Sequence, residues 1–320
     1  MNTQELRLGT RGSQLALWQA NTVAARIADA GGPPCRIVVI KTDGDRLQER
    51  PLSEIGGKGL FVKEIEDALL GGAIDLAVHS SKDMSAVLPR GLVIGGVLPR
   101  ENPLDAIVLP RSPEPSALTS IDDLLKTLGR SPSIGTGSVR RIAQLTRLFP
   151  GARFTGIRGN LDTRLRKLDE GAHDALVLAA AGLSRLGFAS RISLALPQEA
   201  CVPAPGQGIV AIEIRAGDDR VGDAVARIND AAANDALTAE RALVEALGGG
   251  CQTPVGALAA VVDGDALELD AVVAALDGSR LVRGKARAAR SDAATLGARV
   301  GAQLIADGAG EILAEAASRP

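Results

Sequence analysis

The chain has 320 residues, 46% of them hydrophobic, and a formal net charge of -2, which suits two or three domains with buried cores and excludes both a disordered chain and a global attraction to nucleic acid or an anionic membrane. No apolar run reaches the length of a membrane helix, and the first residues lack the charged and apolar segments of a signal peptide, so a cytoplasmic location is expected. Two histidines, no tyrosine and three well-separated cysteines, Cys35, Cys201 and Cys251, disfavour a Ser-His-Asp triad, a metal site and a disulfide framework.

From residue 6 to about 215, short β-rich runs alternate with helical patterns, the mark of an α/β fold with a mainly parallel sheet. Strands are predicted at 6–8, 36–40, 74–78, 92–98, 106–109, 153–157, 175–178 and 209–214. Ser13 is placed to cap a helix whose Ala16, Ala20, Val23 and Ile27 form a buried stripe. Phe61, Ile65, Ala68 and Leu69 form another. Pro103 and the stretch 111–116 break the pattern, and Pro197, Pro203 and Pro205 break it again, so the segment between reads as a second α/β unit. The last strand, with no helix of its own nearby, is expected to return to the first sheet, giving two lobes joined by two crossings. Beyond about residue 225, a helix over 235–247, three strand-like runs and helices near 291–306 and 309–318 predict a smaller α+β domain. The expected domains are 1–103 with 201–220, then 104–200, then 221–320.

Arginine and lysine gather at element ends in the two lobes: Arg11, Lys58, Lys82, Arg140, Arg141, Arg158, Arg164 and Arg185. Ile134-Gly135-Thr136-Gly137-Ser138 leads into the helix bearing Arg140 and Arg141, so backbone N–H groups, the helix dipole and two guanidinium groups can converge on carboxylates or phosphates. Arg164 shares a helix face with Leu161, Leu165 and Leu168. Asp83 follows the strand 74–78, where open α/β sheets place their ligands; it is a candidate catalytic carboxylate, although Ser80 or Asp83 as a simple cap explains the same residues. Around Lys58 the glycines do not match a phosphate loop, since Leu52 and Gly59 stand at key positions. Gly248-Gly249-Gly250 clears side chains from the approach to Cys251, and a plain turn beside an inert thiol explains that equally, because the preceding helix offers its C-terminus, the wrong end for activation.

Taken in order, these segments resemble the hydroxymethylbilane synthases, also called porphobilinogen deaminases, from residue 6 to about 260. The resemblance rests on Gly9-Thr10-Arg11, Leu15-Ala16-Leu17-Trp18-Gln19, Gly56-Gly57-Lys58-Gly59-Leu60-Phe61, His79-Ser80-Ser81-Lys82-Asp83 and Val139-Arg140-Arg141. It continues through Ile157-Arg158-Gly159-Asn160, Thr163-Arg164-Leu165, Ala181-Gly182-Leu183, Arg185-Leu186, Pro205-Gly206-Gln207-Gly208, Glu240-Arg241 and Gly249-Gly250-Cys251-Gln252-Thr253-Pro254. The last is the family's cofactor-attachment signature.

The resemblance implies two lobes like those of periplasmic binding proteins and a third domain presenting a dipyrromethane, joined to Cys251 as a thioether. It implies an enzyme that joins four porphobilinogen molecules head to tail, releases ammonia from each and passes through an enzyme-bound hexapyrrole to hydroxymethylbilane. By the same resemblance the enzyme is a monomer that binds neither nucleic acid nor membrane. Asp83 matches the catalytic aspartate, facing the pyrrole N–H of the cationic azafulvene left when ammonia departs. Ser80, Lys82, Asp83, Thr136, Ser138, Arg140, Arg141, Arg158 and Arg164 match cofactor-binding positions; Arg11, Lys58, Arg158, Arg164 and Arg185 match substrate-binding ones. Glu54 stands where a lysine is common, Ser85 replaces a proline and Gly137 a serine. Two other classes remain open on the residues alone: a binding protein for a small anion, which the missing signal peptide disfavours in a periplasm, and a nucleotide-dependent transferase, weakened by the failed phosphate-loop match.

Overall fold

The first sheet is organised around β3 (Leu76–Ser80), flanked by β1 (Leu6–Thr10) and β10 (Val210–Arg215), with β2 (Cys35–Val39) and β4 (Leu92–Val97) at its edges. The structure, a computed structural model, describes residues 5–42, 62–112, 118–248 and 253–318. Helix α1 (Gln14–Asp29) starts where Ser13 Oγ accepts the Ala16 N–H at 3.3 Å, and it buries Ala20, Val23 and Ile27 against the sheet. Burying a valine or isoleucine of this kind is favourable by about 1.5–3 kcal/mol. Helix α2 (Lys63–Leu70) buries Ile65 and Leu69 in the same way; Phe61, expected in that stripe, lies outside the described residues.

The second sheet has the order β7-β6-β8-β5-β9, formed by β5 (Asp105–Val108), β6 (Ser133–Gly135), β7 (Arg153–Thr155), β8 (Ala175–Ala179) and β9 (Leu194–Ala195). Between these strands run α3 (Ile121–Leu128), α4 (Val139–Leu148), α5 (Leu161–Asp169) and α6 (Ala180–Arg185). Neither sheet is purely parallel: β10 is antiparallel to β3 and β4, and β5 is antiparallel to β8 and β9. Each reversed strand is the first one after the chain crosses between sheets, so it enters its sheet from the crossing side and runs against its neighbours.

Two sequence expectations need correction here. The strand β10 does have a helix of its own, α7 (Asp219–Ala226), capped by Asp218. Its Val221, Ala224 and Val225 belong to the core under β1, β3 and β10, so the first lobe continues past residue 220. The short apolar spacing of α7 and its charged neighbours Asp218, Asp219 and Arg220 hide it in the sequence.

The third unit is an antiparallel sheet, β11 (Val255–Val262), β12 (Ala266–Ala274) and β13 (Leu281–Ala289), packed on α8 (Ala231–Ala246) and α9 (Ala293–Leu304), with α10 (Gly310–Ser318) closing the core. The alanine richness has a packing reason: a Cβ at Gly297 would meet the Ala239 carbonyl oxygen, so α8 and α9 approach at a distance only glycine and alanine permit. Glu240 on α8, fully buried, accepts from Arg100 at 2.6 and 3.2 Å, from the Gly206 N–H at 2.5 Å and from the Ala259 N–H at 2.7 Å. One carboxylate thus ties both crossings to the third unit.

Candidate active site

The three sheets converge on a cavity of about 370 Å³, at the small end of the roughly 300–1,000 Å³ usual for ligand clefts. The first lobe reaches it through the turn after β3. The Ser81 N–H donates to the Ile209 carbonyl, and the turn Ser81–Asp83 carries Lys82 and Asp83 to the carboxyl edge of the sheet. Gly206 faces this turn in the left-handed region, φ +75°, and a Cβ there would lie 2.6 Å from Ser81 Oγ; only glycine lets the second crossing pass so close.

From the second lobe, β6 leads through Thr136 to Ser138, whose Oγ caps α4 by accepting the Arg141 N–H at 3.5 Å, and the first turn of that helix carries Arg140 and Arg141. Arg164 comes from α5, whose Leu165 and Leu168 are buried beside it. The third unit supplies Leu237, Arg241 and Val244 from α8 and Thr253 and Val255 from the start of β11. Lys82, Arg140, Arg141, Arg164 and Arg241 therefore face a space whose walls include one exposed carboxylate, Asp83, and the apolar surfaces of Met84 and Ile157.

The arginine pair is held from behind. Asp105, fully buried at the start of β5, accepts from Arg140 Nη1 at 2.6 Å and from Arg141 Nε and Nη2 at 2.9 and 2.7 Å. Burial opposes its ionisation, but the two guanidinium groups win and hold its carboxyl far below the usual range. The remaining donors are partly spent on the Val202 and Val177 carbonyls at 2.8 Å, while Arg140 Nε is buried without a partner among the described residues. Leaving a buried carboxylate half-paired costs about 3–5 kcal/mol, so Arg141→Leu is expected to lower stability by that amount in chemical denaturation and to reduce the fraction of chains carrying cofactor. Unchanged stability and unchanged loading would remove the pair from the site.

Lys82 donates to Gln207 Oε1 at 3.3 Å. Burial, with Arg141 and Arg140 adding to it and Asp83 and Asp105 opposing, lowers its pKa from 10.5 to about 8. A carboxylate ligand needs the protonated lysine, so KM for a carboxylate substrate is expected to rise above about pH 8, approaching about tenfold per unit once the lysine is mostly neutral. In Lys82→Arg the rise should vanish, and a flat wild-type profile would contradict the assignment. The sign for stability is opposite: between about pH 8 and 10.5 the unfolded chain keeps a proton that the folded chain has released, so the contribution of Lys82 rises with pH.

Of the residues singled out from the sequence, Lys82, Asp83, Ser138, Arg140, Arg141 and Arg164 meet at the cavity. Ser80 does not: its Oγ is engaged by Gln19 Nε2 at 2.8 Å, because β3 runs to residue 80 and points that side chain toward α1. Its neighbour Ser81 lines the cavity instead, with a buried hydroxyl that has no partner among the described residues. Thr136 is buried and accepts the Ser138 N–H at 3.3 Å, away from the lining. Arg158 is not on the wall but acts on Arg164 electrostatically: burial foremost, then Arg141 and Arg158, lowers the Arg164 pKa, while Asp83 opposes. Arg11 is not on the wall. Arg185 donates to the Gly208 carbonyl at 2.7 Å and lies 5.5 Å over the Trp18 ring. Lys58, Glu54 and Cys251 lie outside the described residues.

Sequence reasoning passed over Asp105, Arg241 and the chemistry of Gln207. The available signal for Asp105 was an acid opening an otherwise apolar strand, Asp105-Ala106-Ile107-Val108; no local feature distinguishes Arg241, whose Nη2 donates to the Ala86 carbonyl at 2.6 Å. The two other cysteines are poor nucleophiles. Burial foremost pushes the Cys201 thiol up to about 12 and the Cys35 thiol up to about 11.

Comparison with known proteins adds family evidence. Residues 6–223 match the family model "Porphobilinogen deaminase, dipyromethane cofactor binding domain", and residues 235–306 match "Porphobilinogen deaminase, C-terminal domain". The chain is 47% identical over 312 residues to a porphobilinogen deaminase of Moorella thermoacetica, covering 97% of this chain and 96% of that protein. It is 43% identical over 320 residues to one of Geobacter metallireducens, covering 100% and 97%. Among solved structures it is similar to the VFT2 domain of Bordetella pertussis BvgS, at TM-score 0.40 and 17% identity, covering 70% of this chain and 86% of that one.

Proposed function

The chain belongs to the porphobilinogen deaminase family, and from that premise we propose that it condenses four porphobilinogen molecules head to tail into hydroxymethylbilane, with release of ammonia, as a step of tetrapyrrole and haem biosynthesis. The observation that carries this reading is the cavity itself: four cations of the two lobes and Arg241 of the third unit surround one exposed carboxylate. Each porphobilinogen brings an acetate and a propionate, so a chain of such units is a polyanion that needs fixed cations.

The residues also fit a dipyrromethane. The cavity offers cations for its carboxylates, a Ser81 hydroxyl and an Arg140 Nε unpartnered among the described residues, and apolar faces at Ile157, Leu237 and Val244 for its rings. When bound, a dipyrromethane supplies the free pyrrole α-carbon that begins elongation. Cys251 is assigned as its anchor through a thioether: Cys35 and Cys201 are held as thiols, and Thr253, two residues beyond Cys251 in sequence, lines the cavity.

Lys82, Arg140, Arg141 and Arg164 bind carboxylates, and Ser81 takes the hydrogen-bonding part expected of Ser80, with Ser138 beside it. Arg11, Lys58, Arg158 and Arg185 are assigned to the incoming substrate, and Thr136 to support of the Ser138 loop. Asp83, exposed to the cleft, faces the pyrrole N–H of the substrate, stabilises positive charge as ammonia leaves and accepts the proton lost when the ring is substituted. The reading includes a monomer of the cytoplasm; among the described residues no helix is long and apolar enough to cross a membrane. Incubation with porphobilinogen tests it: ammonia and hydroxymethylbilane in a ratio of four to one are expected, and binding of porphobilinogen without release of ammonia would favour a small-anion binding protein instead.

A further inference from the structure

Asp105 occupies the two arginines in the way a ligand carboxylate would. Three guanidinium N–H groups, the Cys201 thiol at 3.4 Å and Gln207 Nε2 at 3.0 Å all converge on its two oxygens. It does not line the cavity, whereas Arg140 and Arg141, which it holds, do. We propose that Asp105 is a positioning residue that serves as a resident stand-in for the ligand's carboxylates, cancelling one of the two arginine charges and competing for their donors so that each bound carboxylate can be released as the chain lengthens.

The inference rests on the function proposed above, and the physical argument is one of balance. Two buried guanidinium groups with no anion would be costly to fold, so a carboxylate must be present before any ligand arrives. A full complement of free forks, by contrast, would bind each incoming carboxylate bidentately and hold it. With Arg140 Nη1 and Arg141 Nε and Nη2 given to Asp105, the pair presents one net charge and a reduced set of donors to the cleft. A stepwise polymerisation, in which every unit must occupy a position and then vacate it, is served by such a moderated grip. Gln207 extends the arrangement: it donates to Asp105 and accepts from Lys82, so a third cation of the cleft is held in the same network.

A mere scaffold and a competing carboxylate predict opposite kinetics for Asp105→Asn, measured on cofactor-loaded enzyme. The competitor role predicts a KM equal to or below that of the wild type, a kcat about tenfold lower, and accumulation of chains carrying extra pyrrole units by intact mass. A KM about tenfold higher with kcat retained and no accumulation would overturn it. Should Asp105→Asn fail to fold, Asp105→Asn combined with Arg140→Gln removes one cation together with the carboxylate. Recovery of folding with clearance of the extra-pyrrole chains at least as fast as in the wild type supports the charge-cancelling role, and a double variant that still fails to fold, or that accumulates such chains, overturns it. If the wild type carries no dipyrromethane and releases no ammonia from porphobilinogen, the functional reading itself fails; if the wild type is active and the kinetics go the scaffold way, only the present inference does.

Discussion

Asp83→Asn is expected to lower kcat for tetrapyrrole formation by about 10²–10⁴-fold, the range over which a positioned acid–base or charge-stabilising group contributes, while leaving the cleft's cations in place. The reason is chemical: loss of ammonia puts positive charge on the substrate's pyrrole, and Asp83 is the carboxylate that the wall of this cavity exposes among Lys82, Arg140, Arg141 and Arg164. Asparagine keeps the size and a carbonyl acceptor but neither the charge nor the proton affinity. Because the turn Ser81–Asp83 is held by backbone bonds from Ser81 to Ile209 and from Met84 to Ser81, the substitution should not disturb the fold. The measurement is single-turnover release of ammonia beside steady-state kcat and KM. A kcat within a factor of about three of the wild type would take Asp83 out of the chemistry, since so small a loss lies far below what such a group supplies.

Cys251→Ser is expected to abolish the covalent cofactor altogether. Intact-protein mass should show the wild-type chain heavier than its sequence by one dipyrromethane and the variant at its bare sequence mass, with turnover reduced to background. Cys35→Ser should keep the added mass, because Cys35 is partly buried with its thiol pushed up to about 11 and stands at the start of β2, an edge strand of the first sheet. An unmodified wild type that still makes the product would overturn the anchor, and retention of the mass in Cys251→Ser would move the attachment elsewhere.

Much of the α/β framework was legible because its signals are short-range. The stripe Ala20, Val23 and Ile27 and the cap at Ser13 are fixed by neighbours three or four residues apart, and both stand in the structure as the spacing predicts. The apolar runs around 76–80 and 175–179 are likewise strands buried on both faces, and the run around 92–97 is an edge strand with Val93 exposed. Helix α7 escaped notice because three buried side chains in eight residues, among aspartates and arginines, make a weak period. Ser80 and Ser81 show the limit at single-residue scale: a strand alternates its side chains, so which of two adjacent serines faces the ligand depends on where β3 ends, and that is decided by the bond from Ser81 to Ile209, 128 positions later.

By itself the sequence determined a two-lobed α/β chain with a third unit, a set of cations at element ends, an acid after an apolar strand, and a glycine-flanked cysteine. Periodicity, caps and breaks are local, so a linear reading reaches them. Only the tertiary structure decided that Arg140 and Arg141 are shared with Asp105, that Gln207 links this pair to Lys82, and that Glu240 joins both crossings to the third unit. These pairings span 34 to 140 positions where Asp105, Gln207 and Glu240 meet the other segments of the first two lobes. A charged side chain states only that it needs a partner; which one it takes is settled where the folded chain removes both from water.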